Sequence, residues 1–293
     1  MEPIFDTKLA RSRKLRALRS GDEDARFLMR RAAEDLEERL ATVERRFPSG
    51  AAIFCLTRDA PDVLLRSGKV DHVLRVETDA DLLSADLECM VAEPETIPLP
   101  PESLDLAVSL LTMHEVNDLP GLLIQIRRSL KPDGLFLAAM MGAGTLQELR
   151  QSLLQAEVEL SGGATPRISP FADVRDAGAL LQRAGFALPV TDIETVTVRY
   201  GTMFDLMRDL RAMGASSSLV ERARKAAPRS LFLRAAEIYQ EQYSDPDGRI
   251  RATFNIVWMS GWAPHESQQK PLQPGSAKVS LKTVLPPVEE GRD

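Results

Sequence analysis

From residue 51 to residue 140 the chain repeats one alternation: a mostly apolar run of strand length, then a helical or turn segment. The runs are AAIFCL (51–56), HVLRVE (72–77), CMVA (89–92), LDLAVSLL (104–111) and GLFLAAM (134–140). Continuous apolar strands are buried on both faces, which happens where helices cover both sides of a parallel sheet. Residues 60–68 read as a short helix ending at Gly68, 79–87 as a helical or loop crossover, and 118–130 as a helix. That helix is closed by Lys131-Pro132-Asp133-Gly134, a turn by its chemistry. Such alternation builds right-handed βαβ units.

The flanks follow the same logic. Phe27, Leu28, Leu36, Leu40 and Val43 recur at helical spacing and predict a long amphipathic helix over 22–46, stopped by Pro48-Ser49-Gly50. Beyond residue 141, helices are expected over 144–160, 172–184, 202–213 and 228–243. TDIETVTVRY (191–200) alternates apolar and polar residues, as an edge-proximal strand does, and TFNIVWMSGW (253–262) is a last strand. The expected architecture is therefore α/β. It has a seven-stranded, mostly parallel sheet with helices on both faces. A helical arm (1–48) precedes a main domain (49–263) with a helical insertion at about 201–245, and an irregular tail (264–293) follows. No internal repeat is visible.

Composition narrows the partners. With 37 basic and 43 acidic residues the formal net charge is −6, against the basic excess of a general nucleic-acid binder. One local run departs from this: Lys8, Arg11, Arg13, Lys14, Arg16 and Arg19 stand together with no acid between them. That run reads either as a solvated helix face or as a patch for an anionic surface, including peripheral contact with a membrane. No apolar stretch is long enough to span a bilayer, and no secretory signal opens the chain. Cys55 and Cys89, in apolar runs without a nearby histidine, read as buried small hydrophobes in a reducing cytoplasm, with no metal site expected.

LDLAVSLLTMHEVNDLPGLLIQIRRSLKPDGLFLAAM (104–139) resembles the second half of a class I S-adenosylmethionine methyltransferase (Rossmann-like). IFDTKLARSRKLRA (4–17), the block 144–186, YGTMFDLMRDLRAMGASS (200–217), HES (265–267) and GSAKVS (275–280) are similar to one branch of that superfamily. That branch is the complex I assembly factors, with a member that hydroxylates an arginine of an iron–sulfur subunit in the quinone module. The resemblance runs over nearly the whole chain.

It also implies a site. The family's first loop reads D-x-G-C-G-x-G, where glycines let the backbone approach the cofactor before a helix N-terminus. Laid on Ile53 to Asp59, the pattern puts Ile53 at the leading acid, and Cys55, Thr57 and Asp59 at the glycines, with Arg58 kept between the last two. Thr57, Arg58 and Asp59 are thus the expected cofactor loop. Glu77 is the acid for the ribose hydroxyls, Glu93 the acid near the adenine, and Leu110 part of the same wall. His114, after the fourth run, is the candidate catalytic base or stacking group; the alternative is a loop histidine with a structural hydrogen bond. Glu115 follows it where the family often has an aromatic. Ser169, Phe171 and Tyr200 match family positions near the mouth of the pocket, and Gly142 allows a close backbone approach to substrate, although Gly142 also suits a turn and Ser169 before Pro170 a helix start.

The function implied is that of an S-adenosylmethionine-dependent family protein that methylates or hydroxylates an arginine of an iron–sulfur subunit during respiratory complex I assembly. The second reading is a non-catalytic assembly protein on the same fold, because the first loop lacks its glycines.

Overall fold

The computed structural model describes residues 2–269. The tail from 270 on, including the GSAKVS block, lies outside the described residues. In chain order the elements are α1 (Thr7–Ser20), α2 (Phe27–Thr42), β1 (Phe47–Ile53), α3 (Asp59–Arg66), β2 (Val70–Glu77), β3 (Glu88–Val91), β4 (Leu104–Leu110) and α4 (Leu119–Ser129). Then come β5 (Leu130–Met141), α5 (Gln147–Ser161), α6 (Val174–Arg183), β6 (Ala187–Tyr200), α7 (Met203–Ala212), α8 (Arg229–Tyr243) and β7 (Ile250–Trp262). The strands form one sheet in the order β3-β2-β1-β4-β5-β7-β6. The first five run parallel and β7 is antiparallel to both of its neighbours. This is the class I methyltransferase plan, with α7 and α8 as the helical insertion before the last strand.

The apolar runs alternate between two layers, as a pleated strand requires. Ala52, Val108 and Leu137 face a core shared with α2, α3, α5, α7 and α8. Ala51, Ala107 and Phe136 face a second core shared with α4 and α6. Leu28, Met29, Ala32, Ala33, Leu36 and Leu40 of α2 lie in the first core. Helix α2 is therefore packed on the sheet, while α1 crosses the carboxyl ends of the strands.

Three departures from the expected boundaries have a visible reason. The helix predicted over 22–46 is shorter at both ends and runs only over Phe27–Thr42, after α1 has closed at Gly21, φ 68°. A short turn of 3₁₀ helix at Asp24–Arg26 then leads into α2. The carbonyls of Leu40, Ala41 and Val43 that end α2 are taken by Lys69 Nζ at 2.5–2.9 Å. Strand β1 begins at Phe47 instead of residue 51, so Pro48 lies inside it. Phe47 N bonds Lys69 O toward β2, so Pro48 presents its missing N–H to the other side, where pairing with β4 begins only at Gly50. The turn expected at 131–134 is a bulge within β5. Leu104 pairs Leu130 and Leu106 pairs Leu135, and Asp133 sits at φ 63°. Cys89 is half-buried, not buried as expected.

Candidate functional site

The parallel strands end in a cleft where α/β proteins place their ligands. The loop after β1 has two left-handed residues, Phe54 at φ 52° and Leu56 at φ 64°. These conformations cost an ordinary side chain roughly 1–2 kcal/mol each, and glycine supplies them freely. These two residues flank Cys55, and Leu56 adjoins Thr57, both of which the sequence pattern laid on glycines, while Arg58 has an ordinary helical φ of −82°.

What holds this loop is a buried ion pair beneath it. Arg75 and Glu77, two apart on β2, share one face and are each 2 % exposed. Glu77 Oε1 accepts the N–H of Cys55 at 3.0 Å and of Leu56 at 2.9 Å. Arg75 Nη2 donates to Leu56 O at 3.1 Å, and its Nε stands 3.5 Å from Glu77 Oε1. Thr112 Oγ1 donates to Phe54 O. Burial pushes the Glu77 carboxyl up to about 7, against the pull of Arg75 and the two amides. The sign follows from that shift. A carboxyl raised above its ordinary 4.5 favours the fold fully below that pH, and the benefit is lost as pH rises through 7. Denaturant midpoints of wild type and E77Q should therefore separate with pH. Gln gains on Glu between pH 5 and pH 8, and the opposite trend would contradict the burial argument.

A first cavity of about 700 Å³, counting its open mouth, lies over this loop. Its wall includes Phe54, Leu56, Glu77, Thr78, Leu82, Glu95, Thr112 and Glu115, and from α1 Thr7, Ala10, Arg11 and Lys14. The helix is latched at several points. Arg11 meets Asp79 at 2.6 Å, Lys14 meets Glu115 at 2.5 Å, and Arg19 meets Asp81 at 2.5 Å. Arg13 donates to the carbonyls of Ser216 and Ser217. Ahead of α1, the amides of Ile4 and Phe5 both donate to Asn117 Oδ1 at 2.8 Å. Asn117 N and Asp118 N in turn donate to Glu95 at 2.8 and 3.0 Å. Four of the six basic residues of the run are thus engaged within the fold.

A second cavity of about 710 Å³, its open mouth included, adjoins the first across Glu115, which lines both. Leu111, Met141, Leu146 and Phe254 form apolar walls, and His114, Ser169 and Phe171 complete them. The His114 ring lies 5.8 Å from that of Phe171, tilted by 48°. Its Nδ1 accepts from Met141 N at 3.5 Å, a long contact. Desolvation holds the imidazole down to about 4, so it is neutral near pH 7.

The expected site residues thus divide. His114, Ser169 and Phe171 come together at the second cavity, and Glu77 lines the first. Glu93 is exposed and does not line the first cavity; Glu95 does. Thr57 and Asp59 bond each other at 2.5 Å, while Arg58 pairs with Asp62 and Asp86 outside the cavity. Leu110 and Tyr200 are packed in the large core. Gly142 makes a turn: a Cβ there would meet Val257 Cγ2 at 2.4 Å. Sequence reasoning missed Arg75, although a charge inside an otherwise apolar strand run was a usable signal. It also missed the part played by α1, which only long-range pairing reveals. No group of three or more His, Cys, Asp or Glu side chains is placed to hold a metal ion among the described residues.

The comparisons with known proteins fit this geometry. Residues 64–138 match the methyltransferase domain family. The chain is 39% identical over 289 residues to the mitochondrial arginine-hydroxylase NDUFAF5 of Danio rerio, covering 95% of this chain and 88% of that protein. The chain belongs to the NDUFAF5 family. The Homo sapiens relative of the same name is 37% identical over 300 residues, covering 97% of this chain and 86% of its own length. The YcgJ protein of Bacillus subtilis superposes with a TM-score of 0.54 at 12% identity over 79% of this chain and 99% of its own, which establishes the fold alone.

S-adenosylmethionine is the cofactor of the methyltransferase family to which this fold belongs. Although the Glu77 carboxylate that ends β2 is engaged by the loop amides, the apolar wall of Leu82 and Val116 at the nucleoside end suits such a ligand. The methionine end does not. Phe54 and Leu56 carry side chains into the cavity wall, and the first turn of α3 holds Asp59 and Asp62, which oppose a carboxylate.

Proposed function

We propose that this protein acts in respiratory complex I assembly, on an arginine of an iron–sulfur subunit of the quinone module. The observation that carries the reading is the near full-length relation to the arginine-hydroxylase NDUFAF5, covering 95% of this chain and 88% of the relative. The cleft supports it: a neutral imidazole, His114, and a buried carboxylate, Glu115, meet at an apolar cavity suited to a long side chain. In this reading His114, Ser169 and Phe171 face the substrate, and Glu77 faces whatever occupies the nucleoside end. The compartment is the reducing bacterial cytoplasm, with the partner protein brought in at the membrane surface and no nucleic acid involved. No helix among the described residues is long and apolar enough to cross a membrane.

Phe54 and Leu56 favour a second reading, in which the chain binds the same partner without modifying it. One measurement separates the two. Intact-mass and peptide mass spectrometry of the iron–sulfur subunit, from cells with and without this protein, should show an arginine heavier by one oxygen or by one methylene only in its presence. An unchanged arginine leaves the binding role and removes the catalytic one.

A further inference from the structure

Glu115 is the least explained charge in the cleft. Its side chain is 10% exposed and lies between the two cavities. Oε2 is buried and accepts no aligned hydrogen bond, although Lys14 Nζ stands 2.5 Å away. That lysine comes from α1, an element latched over the cleft, and is itself only 20% exposed. The other charged or titratable groups near Glu115 are His114, held neutral, and Arg13, bound to the carbonyls of Ser216 and Ser217. Arg26, on the rim of the second cavity, pairs with Glu23 at 2.9 Å. Glu115 is thus a desolvated carboxylate with one movable cationic partner, at the end of a channel walled by Leu111, Met141, Phe171 and Phe254.

We propose that Glu115 is the recognition carboxylate for the substrate guanidinium, and that Lys14 is the resident cation it displaces. The inference rests on the arginine reading above, and since the family often has an aromatic at this position, Glu115 is this chain's own means of holding the guanidinium. An arginine side chain has an apolar stem and a planar, charged head. The stem matches the apolar walls, the head can stack on the His114–Phe171 pair, and two parallel N–H donors match a carboxylate. An ammonium offers the charge without the plane or the fork, so arginine is preferred to lysine. An uncharged citrulline offers the shape without the charge. Exchange of one cation for another at Glu115 keeps the buried carboxylate compensated at every step, which an empty site would not. The same exchange loosens α1, so substrate entry and arm opening are one event.

The test uses the full chain and three probes: the N-acetyl amides of arginine, lysine and citrulline. Binding is followed by the ¹³C-methyl shifts of Met141 and Met213, both on the cavity wall. The arginine amide should bind more tightly than the other two. Glu115→Gln should weaken it by roughly tenfold or more, the worth of one charge-assisted hydrogen bond. Lys14→Met should strengthen it, because the competing cation is gone. Opposite signs for the two variants are the decisive feature, since a merely structural ion pair would make both weaken binding together. Equal binding by E115Q and wild type, no preference for the arginine amide, or no binding of it at all overturns the proposal. The parent reading fails separately: guanidinium held by Glu115 with an unmodified partner arginine in cells removes the modification and leaves the site. Full modification by E115Q does the reverse.

Discussion

Arg75→Leu is expected to destabilise the protein by about 3–5 kcal/mol, the cost of leaving a buried carboxylate without its counter-charge. Arg75 and Glu77 are each 2 % exposed, so no water replaces the lost guanidinium. The loop loses a second support at once, because Arg75 Nη2 also donates to Leu56 O at 3.1 Å. The double variant R75L/E77Q should recover most of the loss: its amide oxygen still accepts the N–H groups of Cys55 and Leu56, and no charge remains to be compensated. Denaturant unfolding at pH 8 measures both. A single variant within 1 kcal/mol of wild type (roughly the net worth of one hydrogen bond) would mean that Glu77 is solvated and that something else shapes the loop.

This pair marks the border of what the sequence made legible. The strands were readable because a buried parallel strand writes itself as an apolar run, and five such runs marked the strands of the parallel half of the sheet. Helices α6 and α8 fell close to their expected ranges because apolar periodicity and their neighbouring turn residues agree. Boundaries failed where a tertiary partner decided them. Pro48 looks like a stop, yet it sits inside β1 because the adjacent position on the β4 side is unpaired. Lys131 to Gly134 look like a turn, yet they bulge within β5 between Leu130 and Leu135, both paired to β4, with Asp133 and Gly134 bonded to Ala263. The site was legible only in part. His114, Glu77 and Phe171 followed from their place after strands or in family blocks. Nothing local said that Glu93 would point outward while Glu95 tied Asn117 to the arm. Nor could a motif laid on Ile53 to Asp59 say that Phe54 and Leu56, beside its glycine positions, would take left-handed angles.

Those two residues carry the last expectation. The double variant F54G/L56G should bind S-adenosylmethionine roughly 10- to 100-fold more tightly than wild type, whose titration should give no heat below millimolar cofactor. The size is that of one regained hydrogen bond to a charged group, about 1.5–3 kcal/mol. The direction follows from two effects. Glycine keeps the left-handed angles of 52° and 64° without a Cβ penalty, so the loop retains its shape. Removing the aromatic ring and the isobutyl group then opens the wall of the first cavity where the methionine half of the cofactor would lie. The cost falls on stability: Phe54 is 8 % exposed, and deleting a buried Phe side chain removes on the order of 3–5 kcal/mol, offset by roughly 1–2 kcal/mol of relieved strain at each position. Calorimetric titration of both proteins, at a temperature where each is folded, decides the matter. If the wild type binds S-adenosylmethionine in the micromolar range, Phe54 and Leu56 are part of a cofactor pocket of altered shape. If the glycine variant stays silent, Asp59 and Asp62 at the start of α3 exclude the methionine carboxylate whatever the loop carries.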